Sequence, residues 1–400
     1  MNTERLIIDN AKLILPEGMV SQGYIVCEDG VIVGLGDESY QGSEESALII
    51  DAKGNYVSPG FIDIHTHGAG GHDFMDNTIE AYCESAKTHA RYGTTSLTPT
   101  TLASTKEELV KTLAVYREAK AKNTEGANFL GLHLEGPYFA YEQKGAQDPK
   151  YLRNPNPHEY IDLLELGGSD IIRWSIAPEL DGAIEMGREL RARKIVVSLA
   201  HTNALYEEVV NAYENGYTLV THLYSCMSTI TRRNAFRYAG AIEAAYLIDD
   251  MAVEVIADGI HVPKPLLQYV CKFKSHDKIV LCTDSMRGAG MPDGEYLLGS
   301  LEKGQKVIVE DGVAKLPDRT AFAGSVATAD RLIRTMVNEA GLSIPEAVKM
   351  MTQNPACILG LDHTKGSLSI GKDADIVVFD ANIHVQHTIV DGKTIYTNNK

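Results

Sequence analysis

Eight short β runs alternate with helix-like segments through the middle of the chain, and this alternation restricts the possible folds most. Helical patterns such as TIEAYCESAKTHARY and TKEELVKTLAVYREAKA lie between most neighbouring runs. Repeated βα units predict parallel strands, and eight of them predict a (β/α)8 TIM-like barrel, an α/β fold. The runs are FIDIHTH (61–67), TTSLTPT (94–100), FLGLHLE (129–135), IIRWSIAPE (171–179), KIVVSLAH (194–201), TLVTHLY (218–224), MAVEVIADG (251–259) and KIVLCTD (278–284).

An open, doubly wound sheet would also alternate strands with helices. That fold would carry a nucleotide-binding loop after an early strand. Neither GxGxxG nor GxxxxGK followed by Ser or Thr occurs in the chain. The closed barrel is therefore the preferred prediction, and we assign it to residues 58–365.

Short β patterns punctuated by Gly, Asp and Asn occupy both ends of the chain. They include RLIIDNAKLIL and GYIVCEDGVIVGLG near the start, and DADIVVFD and HVQHTIVDG near the end. Such punctuation is typical of hairpins. We therefore predict one small β-sandwich domain built from residues 1–57 and 366–400, with a further β insertion in the barrel near 295–323.

Charge and cysteine usage limit the possible partners and the compartment. The chain has 54 Asp and Glu against 37 Lys and Arg, and the net charge of −17 argues against a nucleic-acid surface. None of the six cysteines forms CxxC, which favours reduced thiols and a cytoplasmic protein. The start of the sequence lacks a signal-peptide pattern, and no stretch approaches the ~20 apolar residues of a membrane span. We expect a soluble cytoplasmic protein without a nucleic-acid or membrane partner.

Residue types that bind metals gather where the predicted strands end. In a barrel the loops after the strands converge, so these residues should meet at one face. Residues two apart on a strand point the same way, so His65 and His67 in the His-Thr-His sequence can offer two imidazoles to one ion. The predicted metal ligands are four histidines and two carboxylates: His65, His67, Glu135, His201, His222 and Asp284.

These ligand types suit Zn²⁺, Fe²⁺, Mn²⁺ or Co²⁺. Six ligands exceed the three or four that one catalytic zinc takes from a protein, so we predict one or two divalent ions per subunit. His261 follows the seventh run at the same barrel end, which favours a metal or substrate contact. His133 shares the face of Glu135, and we interpret it as a packed core histidine.

Seven segments occur in an order that resembles a known family. They are PGFIDIHTHG, LHLEGP, LAHTNA, THLYSCM, ADGIHV, CTDSMRGAG and GSLSIGKDADIVVFD. Together they are similar to the N-acetylglucosamine-6-phosphate deacetylase family of the amidohydrolase superfamily, from about residue 5 to residue 395. The segment PGFIDIHTH is typical of the whole superfamily, whereas LEGP with THLY and ADGIH is specific to the deacetylases.

The resemblance implies a role for each matched residue. Glu135, His201 and His222 match the metal site common to the family, and His65 and His67 match the pair that holds a second ion in some members. Asp284 matches the catalytic aspartate, and His261 would orient the substrate. The implied reaction is hydrolysis of the N-acetyl group of N-acetylglucosamine 6-phosphate to glucosamine 6-phosphate and acetate, in amino-sugar catabolism.

The expected phosphate contacts are backbone amides at Ser225 and Cys226 and an arginine that reaches in from the neighbouring subunit, which implies a homodimer. This chain departs from the family pattern here. It reads HLYSCM where the family reads HLYNAM, and it lacks the family's E-P-G after the arginine. Arg233 takes the matched position by direct count, and Arg232 or Arg237 could serve instead. Three arginines within six residues favour an anion site.

Two further substrate contacts follow from the resemblance. Gln147 stands where the family has a His or Gln that contacts the substrate. Ser325 lies in the AGS segment, which resembles a family loop near the sugar, although it could instead cap the following helix.

Several other functions compete. The same mechanism could act on N-acetylgalactosamine 6-phosphate or on an unphosphorylated N-acyl amino sugar, and the altered segment at 225–237 makes this alternative serious. A cyclic-amide hydrolase is less favoured, because such relatives carry a carboxylated lysine after strand four and this chain has Ala177-Pro178-Glu179 there. A non-catalytic scaffold on the same barrel would be expected to have lost metal ligands, and none is missing.

Overall fold

Eight parallel strands surround the centre of the protein in the computed structural model, which describes residues 4–398. We number them barrel strands 1 to 8 in chain order. Seven lie within the runs predicted from the sequence, and strand 6 begins one residue before its run, at Tyr217. Their bounds are Phe61–Thr66, Thr94–Pro99, Leu132–Glu135, Ile171–Ile176, Val196–Leu199, Tyr217–Val220, Ala252–Val255 and Ile279–Leu281.

The strand pairing gives the arrangement of a TIM-like barrel, as predicted. Strands 3 to 8 form one parallel sheet, and strands 1 and 2 form a parallel pair. Single bridges join the two groups at both seams, between Thr100 and His133 and between Thr66 and Ser285. At the second seam the Asp284 amide also donates to the carbonyl oxygen of His65 over 2.9 Å.

A helix follows each of the eight strands and covers its outer face. Large aromatic side chains such as Tyr82, Tyr116 and Trp174 are fully buried between these layers. The helices are Ile79–Ala90, Lys106–Lys122, Pro157–Gly167, Ala183–Ala192, Tyr206–Glu214, Ala241–Leu247, Lys264–Phe273 and Ala329–Thr335, and Ile344–Lys349 and Gln353–Ile358 come after them. No helix among residues 4–398 combines the length and the apolar character needed to cross a membrane.

Strands from both chain ends join in one mixed sheet with its own apolar core. Ile376–Phe379 pairs antiparallel with Tyr56–Pro59, which leads directly into barrel strand 1. The division at residues 57 and 366 and the two-layer form of a sandwich stay predictions. The strands are Arg5–Leu15, Gly18–Glu28, Val31–Gly36, Ala47–Asp51, Tyr56–Pro59, Ile376–Phe379, Val385–Val390 and Lys393–Thr397.

Small β elements extend the loops at the carboxyl ends of the barrel strands. The region predicted as a β insertion forms an antiparallel sheet of Gly294–Leu298, Gln305–Glu310 and Val313–Lys315. Between strand 6 and its helix, Thr231–Arg233 and Phe236–Tyr238 form a hairpin. A shorter pairing at this face joins Gly68–Ala69 to His72–Asp73. Asn128–Phe129 instead comes just before strand 3 and pairs parallel with strand 2.

Candidate metal centre and active site

Four imidazoles converge on one carboxylate at the carboxyl end of the barrel. The Nε2 atoms of His65, His201 and His222 lie 3.5, 3.5 and 3.2 Å from Oε1 of Glu135, and Nε2 of His67 lies 3.5 Å from its Oε2. All five side chains are buried. The arrangement gathers one carboxylate and four nitrogen donors around a common centre.

Asp284 completes the cluster from strand 8. Its Oδ1 lies 3.4 Å from Nε2 of His65 and 3.1 Å from Nε2 of His67. Two sets of three donors are close enough to share one ion each, and they are His65, His67 and Asp284, and Glu135, His201 and His222. The structure therefore brings together all six residues that the sequence singled out as ligands.

Hydrogen bonds at the opposite ring nitrogens orient three of the four imidazoles. Nδ1 of His201 lies 2.7 Å from the carbonyl oxygen of Gln143, and Nδ1 of His67 lies 3.3 Å from that of Thr100. Nδ1 of His65 faces a carboxylate oxygen of Glu254 at 3.4 Å. With Nδ1 as the donor, each of these rings presents the lone pair of Nε2 to the centre, as metal-binding histidines do.

Backbone strain accompanies three of the site residues. His201, His222 and Asp284 come two or three residues after their strands end and adopt left-handed φ values of 47°, 32° and 47°. Such values are uncommon outside glycine and cluster at functional sites. The turn of the backbone away from the strand aims these side chains into the centre of the barrel.

The electrostatics of the cluster favour negative carboxylates beside cations. Burial alone would raise the pKa of Glu135, but His65 and the hydrogen bonds from His201 and His222 hold it well below its usual value. Burial alone would lower the pKa of His67, but Asp284 and Glu135 raise it to about 9. The centre therefore attracts positive charge, whether protons or metal ions.

A cavity of about 310 Å³ opens over the cluster. Its polar lining includes Gln147, Ser225 and His261, and its apolar lining includes Phe322 and Leu298. A volume of this order lies at the lower end of the range for small-molecule sites. The residues that reach it come from loops after several different strands, as in other barrels with a site at this face.

His261 presents one ring nitrogen to this cavity and binds a carboxylate through the other. Its Nδ1 lies 2.8 Å from Oδ2 of Asp258, whose Oδ1 accepts the backbone amides of Ile260 and His261. Burial opposes ionisation of Asp258, but the bonds from His261 lower its pKa below the usual value. The ring of Phe322 packs against His261 with centroids 4.5 Å apart. Asp258 was not among the residues predicted from the sequence, although a carboxylate three residues before a candidate histidine was a usable signal.

Gln147 is engaged with the cluster itself. Its Nε2 donates to Oε2 of Glu135 over 2.7 Å, and its Oε1 accepts the amide of Ala103 over 2.8 Å. The residue also lines the cavity. Its predicted role as a substrate contact stays a prediction, and the structure adds this bond to a proposed metal ligand.

Ser225 and Cys226 line the cavity, and Cys226 has a left-handed φ of 50°. Their predicted contact with phosphate through backbone amides stays a prediction. Burial would lower the pKa of His201, but the Cys226 thiol and Glu135 raise it well above its usual value. A Cβ added to Gly145 would lie 2.5 Å from Sγ of Cys226, so any larger residue at position 145 would clash with the thiol.

The three candidate arginines lie apart from the cluster. Arg232, Arg233 and Arg237 are exposed on the hairpin after strand 6, and none of them lines the cavity. The guanidinium of Arg233 lies 5.8 Å from the ring centre of Tyr238. The chain by itself therefore does not bring these arginines to the site.

Ser325 is fully buried and does not line the cavity. Its Oγ donates to the carbonyl oxygen of Thr283 and accepts the amide of Ala327 over 2.9 Å. In this arrangement it holds the loop after strand 8, and its predicted contact with the sugar stays a prediction.

Comparison with known proteins identifies the family. Residues 56–395 match the amidohydrolase family. The chain is 32% identical to the N-acetylgalactosamine-6-phosphate deacetylase of Escherichia coli O157:H7 over 96% of this chain and 97% of that protein. It is 31% identical to the N-acetylglucosamine-6-phosphate deacetylase of Lysinibacillus sphaericus over 98% and 99% of the two chains.

A solved structure agrees with these relatives. A mutant of the N-acetyl-D-glucosamine-6-phosphate deacetylase from Mycobacterium smegmatis, in complex with N-acetyl-D-glucosamine-6-phosphate, superposes with a TM-score of 0.88 at 28% identity. The match covers 99% of this chain and all of that one. The chain therefore belongs to the amidohydrolase family, within the group that holds the N-acetylglucosamine-6-phosphate deacetylases.

Proposed function

We propose that this protein removes the N-acetyl group from N-acetylglucosamine 6-phosphate by hydrolysis, giving glucosamine 6-phosphate and acetate. The observation that carries the proposal is the convergence of four Nε2 atoms on Glu135 with Asp284 beside them, under a cavity of suitable size. Whole-length relatives with this printed activity support the choice of substrate.

The donor set fits one or two divalent metal ions. Nε2 of His65 is buried and, within the described part of the chain, makes no hydrogen bond, as expected of an atom that faces an ion. Glu135, His201 and His222 would hold one ion, and His65, His67 and Asp284 would hold a second. When bound, such an ion would polarise the acetyl carbonyl and make water a stronger acid.

Asp284 and His261 would handle the protons and the substrate. Asp284 would accept a proton from the attacking water and deliver it to the sugar nitrogen as the C–N bond breaks. His261, with Nδ1 donated to Asp258, would offer Nε2 to the substrate, holding either the acetyl oxygen or a sugar hydroxyl. The water oxygen ends in acetate, and the nitrogen leaves as the amine of the sugar.

A homodimer would explain the arginine hairpin. Because Arg233 lies outside the cavity of its own chain, we propose that it binds the 6-phosphate in the site of a partner subunit, with the amides of Ser225 and Cys226. Exposed apolar side chains on and beside the hairpin support this surface as an interface, and they are Ile230, Phe236 and Tyr238.

The galacto epimer is the alternative substrate. One relative carries that printed activity, whereas several others along the full length carry the gluco activity. The altered segment at 225–237 is the place where a changed preference would arise. We also propose that the enzyme is cytoplasmic, in keeping with its cysteine usage.

The test is acetate release by the purified protein, first loaded with metal. N-acetylglucosamine 6-phosphate would be compared with N-acetylglucosamine and N-acetylgalactosamine 6-phosphate, each with and without a chelator. Fast, chelator-sensitive release from the first sugar alone is expected. Preference for another sugar would leave the chemistry intact and overturn the substrate, and no release from any of them would overturn the proposal.

A further inference from the structure

A buried ion pair lies inside the barrel beneath the histidine cluster. Arg173 on strand 4 and Glu254 on strand 7 are both fully buried. The two guanidinium Nη atoms each donate to one carboxylate oxygen, and the bond from Nη2 to Oε2 is 2.8 Å long. Barrel interiors are filled mainly by branched apolar side chains, and buried charges are costly, so a pair here calls for an explanation.

The carboxylate side of the pair contacts two of the proposed ligands. Oε2 of Glu254 lies 3.4 Å from Nδ1 of His65 and accepts the backbone amide of His222 at 3.4 Å. One carboxylate oxygen therefore touches strand 1 through a side chain and the end of strand 6 through the backbone.

The guanidinium side reaches the residues that come just before the same two ligands. Arg173 donates from Nη1 to the carbonyl oxygen of Ile64 over 3.0 Å and from Nη2 to Oγ1 of Thr221 over 2.9 Å. Its Nε also donates to Oγ of Ser198 over 3.2 Å. The pair thus connects strands 1, 4, 5, 6 and 7 at the level directly below the centre.

We infer that Glu254 is a positioning residue for His65, and that Arg173 holds Glu254 in place for this role. The inference rests on the proposed function, which makes His65 a ligand. The carboxylate accepts the proton of Nδ1, so the lone pair of Nε2 faces Glu135 and Asp284. Carboxylates placed in this way behind a metal-bound histidine typically change metal affinity or activity 10- to 100-fold when removed.

The experiment uses Co²⁺ as the probe. Glu254→Gln keeps the shape of the side chain, but its amide must turn the NH₂ group toward either Arg173 or His65, and both of these are donors. We expect the variant to bind the Co²⁺ ion held by His65, His67 and Asp284 10- to 100-fold more weakly. The visible absorption of the Co²⁺ that remains bound should also change.

Asp76→Asn is the matched control. Asp76 pairs with Arg287 over 2.8 Å, both side chains are almost fully buried, and neither contacts a proposed ligand. This variant removes a comparable buried charge and should bind Co²⁺ like the unaltered protein. Equal loss of Co²⁺ affinity in the two variants would show a general effect of destabilisation and overturn the inference.

A second measurement does not depend on how the variant folds. In metal-free protein carrying ¹⁵N-labelled histidine, NMR should find His65 protonated at Nδ1, and a neutral ring protonated at Nε2 alone would overturn the inference. Unaltered Co²⁺ binding by Glu254→Gln would also overturn it and leave the proposed function standing. If the unaltered protein bound no Co²⁺ at all, the proposed metal centre would fail, and the role of Glu254 with it.

Discussion

Gln147 donates a hydrogen bond to Glu135, and a second hydrogen bond to the same Gln147 amide group determines this direction. The amide oxygen of Gln147 accepts the backbone N–H of Ala103 over 2.8 Å, so the NH₂ group must donate to Glu135, over 2.7 Å. The side chain thereby holds one carboxylate oxygen of Glu135, a proposed metal ligand, in place.

Replacing Gln147 with Leu should weaken both metal binding and turnover. The substitution removes the donor to Glu135 and leaves the amide of Ala103 buried without its partner. We expect roughly a 10- to 100-fold loss in metal affinity or kcat, measured by competition with a chelator and by acetate release. Gln143→Leu is the control, since Gln143 binds His201 through its backbone carbonyl, which the substitution retains. An active Gln147→Leu variant with normal metal affinity would contradict the prediction.

Asp284→Asn should abolish turnover while the protein still binds metal. The amide of Asn cannot accept the proton that Asp284 is proposed to take from water. Loss of a positioned acid or base typically costs 10²- to 10⁴-fold in rate. Metal content and acetate release would be measured on the same preparation, and retained activity would refute the assignment.

Asp258→Asn should lower kcat with metal content unchanged. Asp258 accepts the proton on Nδ1 of His261 over 2.8 Å, and an asparagine can turn its NH₂ group to that nitrogen and favour the other tautomer. We expect kcat to fall at least about 10-fold, as for other carboxylates that orient a histidine. A variant with normal kcat would show that the tautomer of His261 has no role.

Mixed dimers should reveal the subunit that uses Arg233. Arg233→Ala should raise KM for the phosphorylated sugar about 10- to 100-fold, since a charge-assisted bond is worth about 1.5–3 kcal/mol. In a mixed dimer, an Asp284→Asn subunit would lend its Arg233 to the site of an Arg233→Ala subunit. Mixing the two variants should therefore restore part of the activity at low substrate concentration. No recovery after subunit exchange would indicate that the arginine serves its own chain.

His89 should make the free energy of unfolding depend on pH below about 6.5. The ring lies near Oγ1 of Thr66, at 3.0 Å, and burial lowers its pKa to about 4. Between pH 4 and 6.5 the unfolded chain binds more protons at this site than the folded chain, so stability rises with pH across this window and is lost as pH falls.

The effect can be measured as a difference between two proteins. From pH 6.5 to pH 5 the contribution of His89 should fall by about 1.6 kcal/mol, because the slope reaches about 1.4 kcal/mol per pH unit only once the unfolded chain is fully protonated at this site. Chemical denaturation of the unaltered protein and of His89→Gln would show this as a steeper loss in the former. Parallel pH profiles would contradict the lowered pKa.

The barrel was predictable because its signals are local. Each strand is a short apolar run with a polar residue in its last positions or just after it, so His65, Glu135 and Asp284 could be grouped before any coordinates. The predicted runs extend beyond the strands, most clearly at Ala177-Pro178-Glu179, because residues after a strand end continue the sequence pattern while the backbone turns away.

The remaining parts of the site depend on contacts between distant segments. Nothing near Arg173 or Glu254 in the sequence indicates that strands 4 and 7 face each other across the barrel. The bond from Gln147 to Glu135 depends on a loop returning to strand 3. The position of Arg233 depends on a hairpin whose turn, at Asn234 and Ala235, has left-handed φ values of 47° and 70°. Such geometry follows from packing rather than from local pattern.

The pairing of Tyr56–Pro59 with Ile376–Phe379 bears on how the enzyme is made. The first of these strands leads straight into His65 and His67, and the second is supplied from the far end of the chain. While the polypeptide is still being synthesised, the histidine pair lacks the strand that braces it. Synthesis of the chain should therefore be complete before metal is loaded. We expect the ions to bind only after the full chain is released from the ribosome. A stop codon shortly before Ile376 should yield a protein without its His65–His67 site.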